Sequence, residues 1–542
     1  MTINKNDTSD FLLLIPLIII SFLSTIDNFA LQTAVDGGLI LSEKVKYPQD
    51  FSNVTSIYYN GWTILHQLTS IMLRGNLSVI VISKILMFTS TIFYSFGIFY
   101  LVKGLTKSKI FALVISLIVI VTKISFGSVD YPALFFSEHT YGMFSLATFT
   151  LVVGLLFNGN FKLAGFFIIL LASFHLVVGL WIIFLIIFLF FYLTKIQKQK
   201  DIYLFQEIKI GSYFAIIPIF ISFVFFQLNT IDKSTLNPED LKTYLEVWDH
   251  HRNIIDINYN YLIKTLFLII LYSYIFFSLL KNYTNQHFLF YFIFFNCIGS
   301  MIIYLLYKFF PYFFPDLVIR AMPTRVFLLH TVVGYPLIIS FSYILLNNRL
   351  DFVHNTKKFF VFISILIIFV SIFLLYKYEN RKYKSYRDLK SKIYYRIDKF
   401  KKNFSNSLNS ADSKFWKKVE NLNTDGYFVT TYNTSEPTLK FGKKPYIINA
   451  KFFDHLPYHP YTVHEVKLII ENIYGIDFKN PPIKFWPEIR DKWIKKEFET
   501  RSINQWQTLA QEFNLSGIIV PANWNLQIKK NFSSNKYTLY SF

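Results

Sequence analysis

About eleven long apolar runs fill the first 376 residues, and they constrain the fold more than any motif does. A helix needs about 20 mostly apolar residues to cross a bilayer, where every backbone polar group must bond internally. The sequence therefore predicts a polytopic α-helical membrane protein with about eleven spans. The predicted spans are residues 11–26, 77–102, 109–122, 139–157, 161–176, 178–194, 210–228, 263–280, 287–308, 326–346 and 358–376.

The charges between these runs predict which loops share a side. With the N-terminus in the cytoplasm, the inner turns are rich in lysine, whereas the outer loops before the tail are net acidic. This agrees with the positive-inside rule, which long translocated domains such as the basic tail largely escape. Residues 54–74 are predicted to form a helix on the outer surface, because a span there would reverse the lysine asymmetry.

Four loops are predicted on the outer face: residues 27–76, 123–138, 229–260 and 309–325. We call them the first, second, third and fourth loop. Long loops gathered at one end of a rigid bundle are a common place for a functional site.

Composition supports the membrane class and excludes others. The chain is 53% hydrophobic, and its one cysteine, Cys297, excludes an internal disulfide. Much of the net charge of +20 lies just after the last predicted span, where basic residues meet anionic lipid headgroups, so we expect no nucleic-acid partner. Walker, dinucleotide-binding, HExxH and GxSxG motifs are absent from the sequence.

The composition changes after residue 376, which predicts three parts. These are a membrane domain (1–376), a basic connector (377–409) and a soluble α/β domain outside the cytoplasm (410–542). Within the last part, patterning predicts helices at 410–421, 462–474 and 503–513, and strands at 426–432, 445–449, 516–521 and 536–542.

Acidic residues of the first two outer loops are the candidate catalytic groups. Asp27, Asp36 and Asp50 lie in the first loop, and Glu138 precedes His139 at the start of a span. A partly buried carboxylate has a raised pKa and can act as a general base, or it can hold a divalent cation such as Mg²⁺ or Mn²⁺. The alternative is that these acids cap helices or face water. Asp27, Asp50 and Glu138 are the predicted catalytic residues; the metal ligands stay open.

Basic residues of the outer loops are candidates for binding phosphate, because arginine and protonated histidine pair with phosphate oxygens. The alternatives are a solvated turn or arginines that snorkel to the headgroups. His175, between two apolar segments, is either functional or a neutral histidine bonded to the helix backbone. The phosphate-binding candidates are His139, His250, His251, Arg252, Arg320 and Arg325.

The layout resembles the GT-C superfamily of integral-membrane glycosyltransferases. The resemblance rests on IDNFALQ and KYPQD in the first loop, SEHTYG in the second, HLVVGLW, and QWQTLAQEFNLSGIIVPANWNL in the tail, which looks like the last unit of bacterial GT-C-like proteins. It implies sugar transfer from a polyprenyl-phosphate-linked donor to a glycan, lipid or protein acceptor outside the plasma membrane. It also implies that a first-loop aspartate, Asp27 or Asp50, activates the acceptor hydroxyl, and that arginine or a divalent cation stabilises the departing phosphate.

Three other functions remain open on sequence grounds. A transporter or lipid flippase would carry charges in mid-span and two matching halves, which the sequence does not clearly display. An O-antigen ligase or polymerase-like enzyme would need a large outer loop with arginine and histidine. A membrane scaffold or sensor would use the C-terminal domain alone.

Overall fold

The computed structural model describes the chain except residues 1–4, 49–52, 123–136, 198–202, 228–235, 250–258, 276, 278–283, 311–313, 315–324, 327–331, 348–409, 452, 454–455 and 483–487. The described part is mostly helical, with a small sheet near the C-terminus. This is the architecture of a helical membrane protein that carries a C-terminal α/β unit.

Fourteen helices precede residue 348 in the described part of the chain. Five apolar segments are long enough to cross a membrane: Val79–Thr106, Thr140–Phe157, Leu176–Ile196, Tyr203–Val224 and Phe288–Phe309. Shorter apolar helices occupy five more of the predicted spans, and the span predicted at 358–376 lies outside the described residues. The helices are α1 (Lys5–Asp27), α2 (Ala34–Leu41), α3 (Asn53–Asn60), α4 (Ile64–Arg74), α5 (Val79–Thr106), α6 (Lys109–Thr122), α7 (Thr140–Phe157), α8 (Phe161–Phe174), α9 (Leu176–Phe191), α10 (Tyr203–Gln227), α11 (Pro238–Thr243), α12 (Tyr259–Ile275), α13 (Thr284–Phe309) and α14 (Gly334–Asn347).

The centre of the helical part is the close packing of α5 against α7. A Cβ atom on Gly154 would lie 2.2 Å from the carbonyl oxygen of Gly97, so the two backbones touch where both residues lack a side chain. Small residues at a helix crossing allow this approach, which is a common way of packing helices in lipid. On the outside of the bundle, α10 exposes Phe214, Ile217 and Phe220, as a lipid-facing helix would.

The first loop folds into short helices. Residues 54–74 form α3 and α4, with 8 and 11 residues, separated by a break at Gly61–Thr63. At 1.5 Å per residue α4 is roughly 16 Å long, well short of the ~30 Å hydrocarbon core. These lengths favour the surface position that the charge pattern predicts over the alternative in which the segment spans.

Residues 410–542 form an α/β unit that we call the C-terminal module. Its four-stranded sheet has the order β1-β2-β4-β3, with β1 and β2 parallel and the other neighbours antiparallel. The strands are β1 (Tyr427–Thr430), β2 (Leu515–Pro521), β3 (Lys530–Ser533) and β4 (Tyr537–Ser541); the helices are α15 (Ser410–Glu420), α16 (Ser435–Lys440), α17 (Val463–Asn472), α18 (Asp491–Thr500) and α19 (Ile503–Glu512).

One predicted strand, 445–449, is wrong. Tyr446 makes a single parallel bridge with Phe428, held by hydrogen bonds from Phe428 N to Pro445 O and from Ile447 N to Phe428 O. Pro445 has no N–H with which to extend the ladder. The segment therefore runs beside β1 without becoming a strand.

The third loop belongs to the hydrophobic core of the C-terminal module. Leu241 on α11, with Tyr244 and Trp248 on the π-helical turn after it, packs among apolar residues of the module. The Tyr244 hydroxyl donates to Phe453 O at 2.9 Å. The module and this loop therefore lie on the same side of the helical bundle.

Candidate functional site

Five charged side chains form a continuous chain where the first loop, the second loop and the C-terminal module meet. Lys440 Nζ lies 3.4 Å from Asp36 Oδ1 and 2.5 Å from Glu436 Oε1. Lys451 Nζ lies 3.4 Å from Glu436 Oε2 and 3.2 Å from Glu138 Oε1. We call these residues the ion network. It holds three carboxylates and two ammonium groups, and Asp36 is its buried end.

Asp36 is placed by α2, whose N-terminal end is fastened to the start of α7. Thr33 N donates to Glu138 O at 3.1 Å, and Ala34 N donates to the hydroxyl of Thr140 at 3.1 Å. The Thr140 hydroxyl donates in turn to Gln32 Oε1 at 3.0 Å. These bonds satisfy N–H groups that a helix start leaves without intrahelical partners. They also bring Asp36 and Glu138 to the same place.

Lys440 is placed by α16, a short helix that follows the buried strand β1. The Thr434 hydroxyl, just before the helix, donates to Ile519 O on β2 at 2.7 Å. The Ser435 hydroxyl accepts a hydrogen bond from Ala450 N at 3.1 Å. Glu436 and Lys440, four residues apart, face each other on one side of this helix. The sheet therefore fixes the position of the ammonium group.

The packing of α4 on α2 covers the carboxylate from the other side. A Cβ atom on Gly37 would lie 2.5 Å from Cδ2 of His66, so the imidazole rests directly on the backbone next to Asp36. His66 Nε2 is 2.6 Å from the hydroxyl of Tyr141 on α7. Burial lowers the pKa of His66 to about 3, so the ring is neutral at physiological pH.

Burial decides the protonation of Asp36. It raises the pKa of this carboxyl group to about 7, and the positive charge of Lys440 opposes the rise. For Lys440, burial acts to lower the pKa, but attraction to Asp36 and Glu436 outweighs it and raises the value. The same attraction to Lys440 and Lys451 outweighs burial at Glu436 and lowers the pKa there. Asp36, rather than Glu436, is therefore suited to take up a proton near neutral pH.

Three tyrosines lie near the carboxylate: Tyr58 and Tyr446 are buried, and Tyr47 is partly buried. Loss of hydration raises the pKa of Tyr47, Tyr58 and Tyr446 well above the usual value, so their hydroxyls stay protonated. The ring of Tyr47 packs edge-on against Tyr446, with centroids 6.3 Å apart. Among the described residues, the surroundings of Asp36 are thus aromatic and uncharged except for the other members of the ion network.

One oxygen of Asp36, Oδ1, has a single long polar contact. Lys440 Nζ lies 3.4 Å from it, and among the described residues no other group donates a hydrogen bond to this oxygen. Buried carboxylate oxygens usually accept hydrogen bonds, so this oxygen can accept one from a hydroxyl group brought in by a ligand. Lysines also hold Glu138 and Glu436 within 3.4 Å, and this cationic setting does not suit Mg²⁺ or Mn²⁺.

No three His, Cys, Asp or Glu side chains are grouped to hold a metal ion in the part of the chain that the structure describes.

Arg325, from the fourth loop, makes a second polar cluster. Its Nη1 is 3.3 Å from His175 Nε2 and 3.2 Å from the hydroxyl of Tyr458 in the C-terminal module. Arginine only donates hydrogen bonds, so His175 accepts and its ring is neutral. His175 lies at the break between α8 and α9, and Thr63 at the start of α4 donates to the nearby Ser173 O at 2.8 Å. Thr63 and His66 both lie at the start of α4.

The predicted site residues lie in different parts of the structure, and some lie outside the described residues. Glu138 is in the ion network, and Arg325 joins His175 and the C-terminal module. Asp27 ends α1 outside the ion network, and His139 immediately precedes α7. Asp50, His250, His251, Arg252 and Arg320 lie outside the described residues.

Sequence reasoning missed Lys440, Glu436 and Lys451, and it named Asp36 without choosing it. The spacing of four residues between Glu436 and Lys440 was a usable signal for a helical ion pair. Nothing local pointed from Lys440 to Asp36, because the two residues are about 400 positions apart in sequence.

Comparison of the chain with models of known protein families finds no match, and comparison with curated proteins finds no significant match. The chain is therefore assigned to no family, and its function is inferred from residue geometry.

Proposed function

We propose that the chain is a GT-C-like glycosyltransferase that uses a polyprenyl-phosphate-linked sugar on the outer face of the plasma membrane. In this proposal about eleven spans cross the membrane, the N-terminus is cytoplasmic, and the C-terminal module is outside. The partners are the lipid-linked donor, the surrounding lipids, and a glycan, lipid or protein acceptor. An embedded enzyme suits such a donor, because the polyprenyl tail can stay between apolar helices such as α10.

The observation that carries the proposal is the buried carboxylate of Asp36, whose Oδ1 contacts only Lys440 Nζ, at 3.4 Å, among the described polar groups. A first-loop acid is what the GT-C resemblance implies, and of the first-loop aspartates that the structure describes, Asp36 has the raised pKa, about 7. The acceptor hydroxyl would donate to Asp36 Oδ1 and pass its proton there while its oxygen attacks the anomeric carbon. The bond from that carbon to the donor phosphate breaks, and the electron pair leaves with the phosphate.

Arg325 is the proposed group that stabilises the leaving phosphate. It brings a permanent positive charge to the cluster with His175 and Tyr458, where three parts of the chain meet. A fixed cation aimed at developing negative charge lowers the barrier more than a solvated one, because it needs no rearrangement during the reaction.

The test is a transfer assay with the full-length protein in liposomes and a panel of polyprenyl-phosphate sugars. Asp36→Asn should lower kcat by roughly 10²- to 10⁴-fold, the usual contribution of a general base. Asp27→Asn is the matched control: it removes a first-loop acid outside the ion network and should leave turnover within a few-fold of wild type. Equal turnover in wild type and Asp36→Asn would remove Asp36 from the mechanism. Failure of every donor with correctly folded protein would favour the transporter or flippase.

A further inference from the structure

The C-terminal module places one fully buried ammonium group against the first loop. The side chain of Lys440 has no exposed surface, and that of its partner Asp36 is 5% exposed. Two opposite charges taken out of water need each other, because either one alone would lose its hydration without compensation. The module thus supplies the positive charge next to the proposed base.

This ion pair is one of several contacts that join the module to the helical part. The third loop already does so, because Trp248 is buried in the module core and donates from Nε1 to Phe478 O at 2.8 Å. Ordinary docking pairs also exist: Lys467 Nζ lies 3.0 Å from Asp240 Oδ1 at the same interface, and it keeps 23% of its side chain exposed. Lys440 differs from Lys467 in its full burial and in facing the buried carboxylate of Asp36.

We propose that Lys440 is a positioning residue that keeps the Asp36 carboxylate charged and in place, so that the C-terminal module completes the first-loop site. This inference rests on the proposed function. Without the ammonium group the carboxylate would face aromatic rings and two other acids, and it would hold its proton at neutral pH. It could then not take a proton from the acceptor hydroxyl.

The titratable groups that face Asp36 in the described part of the chain enter this expectation. The imidazole of His66 is neutral, and the three tyrosines keep their protons. Of the described residues, only the other members of the ion network carry charge around it, and Glu436 competes with Asp36 for Lys440. The facing groups are Tyr47, Tyr58, His66, Glu138, Tyr141, Glu436, Lys440, Tyr446 and Lys451.

The test compares two variants with opposite expected signs. Lys440→Met removes the stabilising charge, so the acid limb of kcat/KM should move up by at least one pH unit, with activity largely recovered in alkali. Glu436→Gln removes a competing negative charge, so the same limb should move down in pH. Lys440→Arg keeps the charge and should keep the profile. Lys467→Met is the control, because it breaks an interface ion pair without facing Asp36.

A merely structural role would lower activity by the same factor at every pH in both variants, and that result would overturn the proposal. A second readout does not depend on turnover. The infrared band of a protonated carboxyl group, assigned by its loss in Asp36→Asn, should titrate at higher pH in Lys440→Met and at lower pH in Glu436→Gln. If no donor supports transfer, this titration still decides the role of Lys440, and unchanged titration would disprove it.

Discussion

Trp248 and Phe478 are 230 residues apart, yet the indole Nε1 of Trp248 donates to the carbonyl oxygen of Phe478 at 2.8 Å. The two rings also stack, with centroids 5.8 Å apart. A loop of the helical part is therefore built into the core of the C-terminal module, and stability of the module should depend on that loop.

Trp248→Ala should lower the free energy of unfolding of the module by about 3–5 kcal/mol, the usual cost of removing a large buried aromatic side chain. Thermal unfolding and resistance to trypsin of the full-length protein measure the effect. Lys242→Ala is the control on the same segment, because the Lys242 side chain is 76% exposed and its ion pair contributes little. Equal resistance of wild type and Trp248→Ala would show that the loop does not support the module.

Gly37→Ala should destabilise the protein by about 1–3 kcal/mol, because the new methyl group would overlap the imidazole of His66. The double variant Gly37→Ala/His66→Ala should recover part of this loss, which a double-mutant cycle measures as coupling. Gly75→Ala, where the nearest atom is 3.3 Å away, should cost less. Additive effects at Gly37 and His66 would contradict the contact.

As pH rises from about 4 to about 7, the free energy of unfolding of the wild-type protein should fall relative to that of Asp36→Asn. Burial raises the pKa of Asp36 in the folded protein to about 7, so between these values the folded state binds a proton that the unfolded state has lost. Loss of that proton therefore disfavours the folded state. The measurement is Tm against pH for both proteins, and a constant difference in Tm would contradict the raised pKa.

Labelling of a single engineered thiol would show on which side of the membrane the predicted outer loops lie. The chain has one cysteine, Cys297, and it is buried, so Lys242→Cys adds an exposed reactive position in the third loop. An impermeant maleimide should label this variant on intact cells and should leave wild type unlabelled. Labelling only after permeabilisation would place the loops in the cytoplasm and reverse the proposed orientation.

Local patterns predicted the helical part well. Length and hydrophobicity within one segment decide where a helix forms, and each predicted apolar run within the described residues overlaps a helix; the run at 358–376 lies outside them. The helix Asp491–Thr500 was missed because its charged residues hide a narrow apolar face of Ile494 and Phe498. In the C-terminal module, the predicted boundaries of strands and helices were close to the observed ones where the segment had a complete hydrophobic pattern of its own.

The site could not be predicted in the same way. Asp36 is one of several first-loop acids, and what distinguishes it is burial by α4, the second loop and the C-terminal module. Those partners come from distant parts of the sequence, and nothing within one amino-acid sequence pairs Lys440 with Asp36. Residue types were therefore predictable here, but the contacts that change their chemistry were not.

The shared core of Trp248, Tyr244 and the C-terminal module has a consequence for the growing polypeptide. Trp248 is synthesised about 160 residues before the module begins at residue 410. A ribosome that stops early leaves these two aromatic side chains without the apolar partners that cover them. A prematurely terminated chain would therefore expose an aromatic patch that chaperones and proteases bind, whereas this patch is buried in the full-length chain.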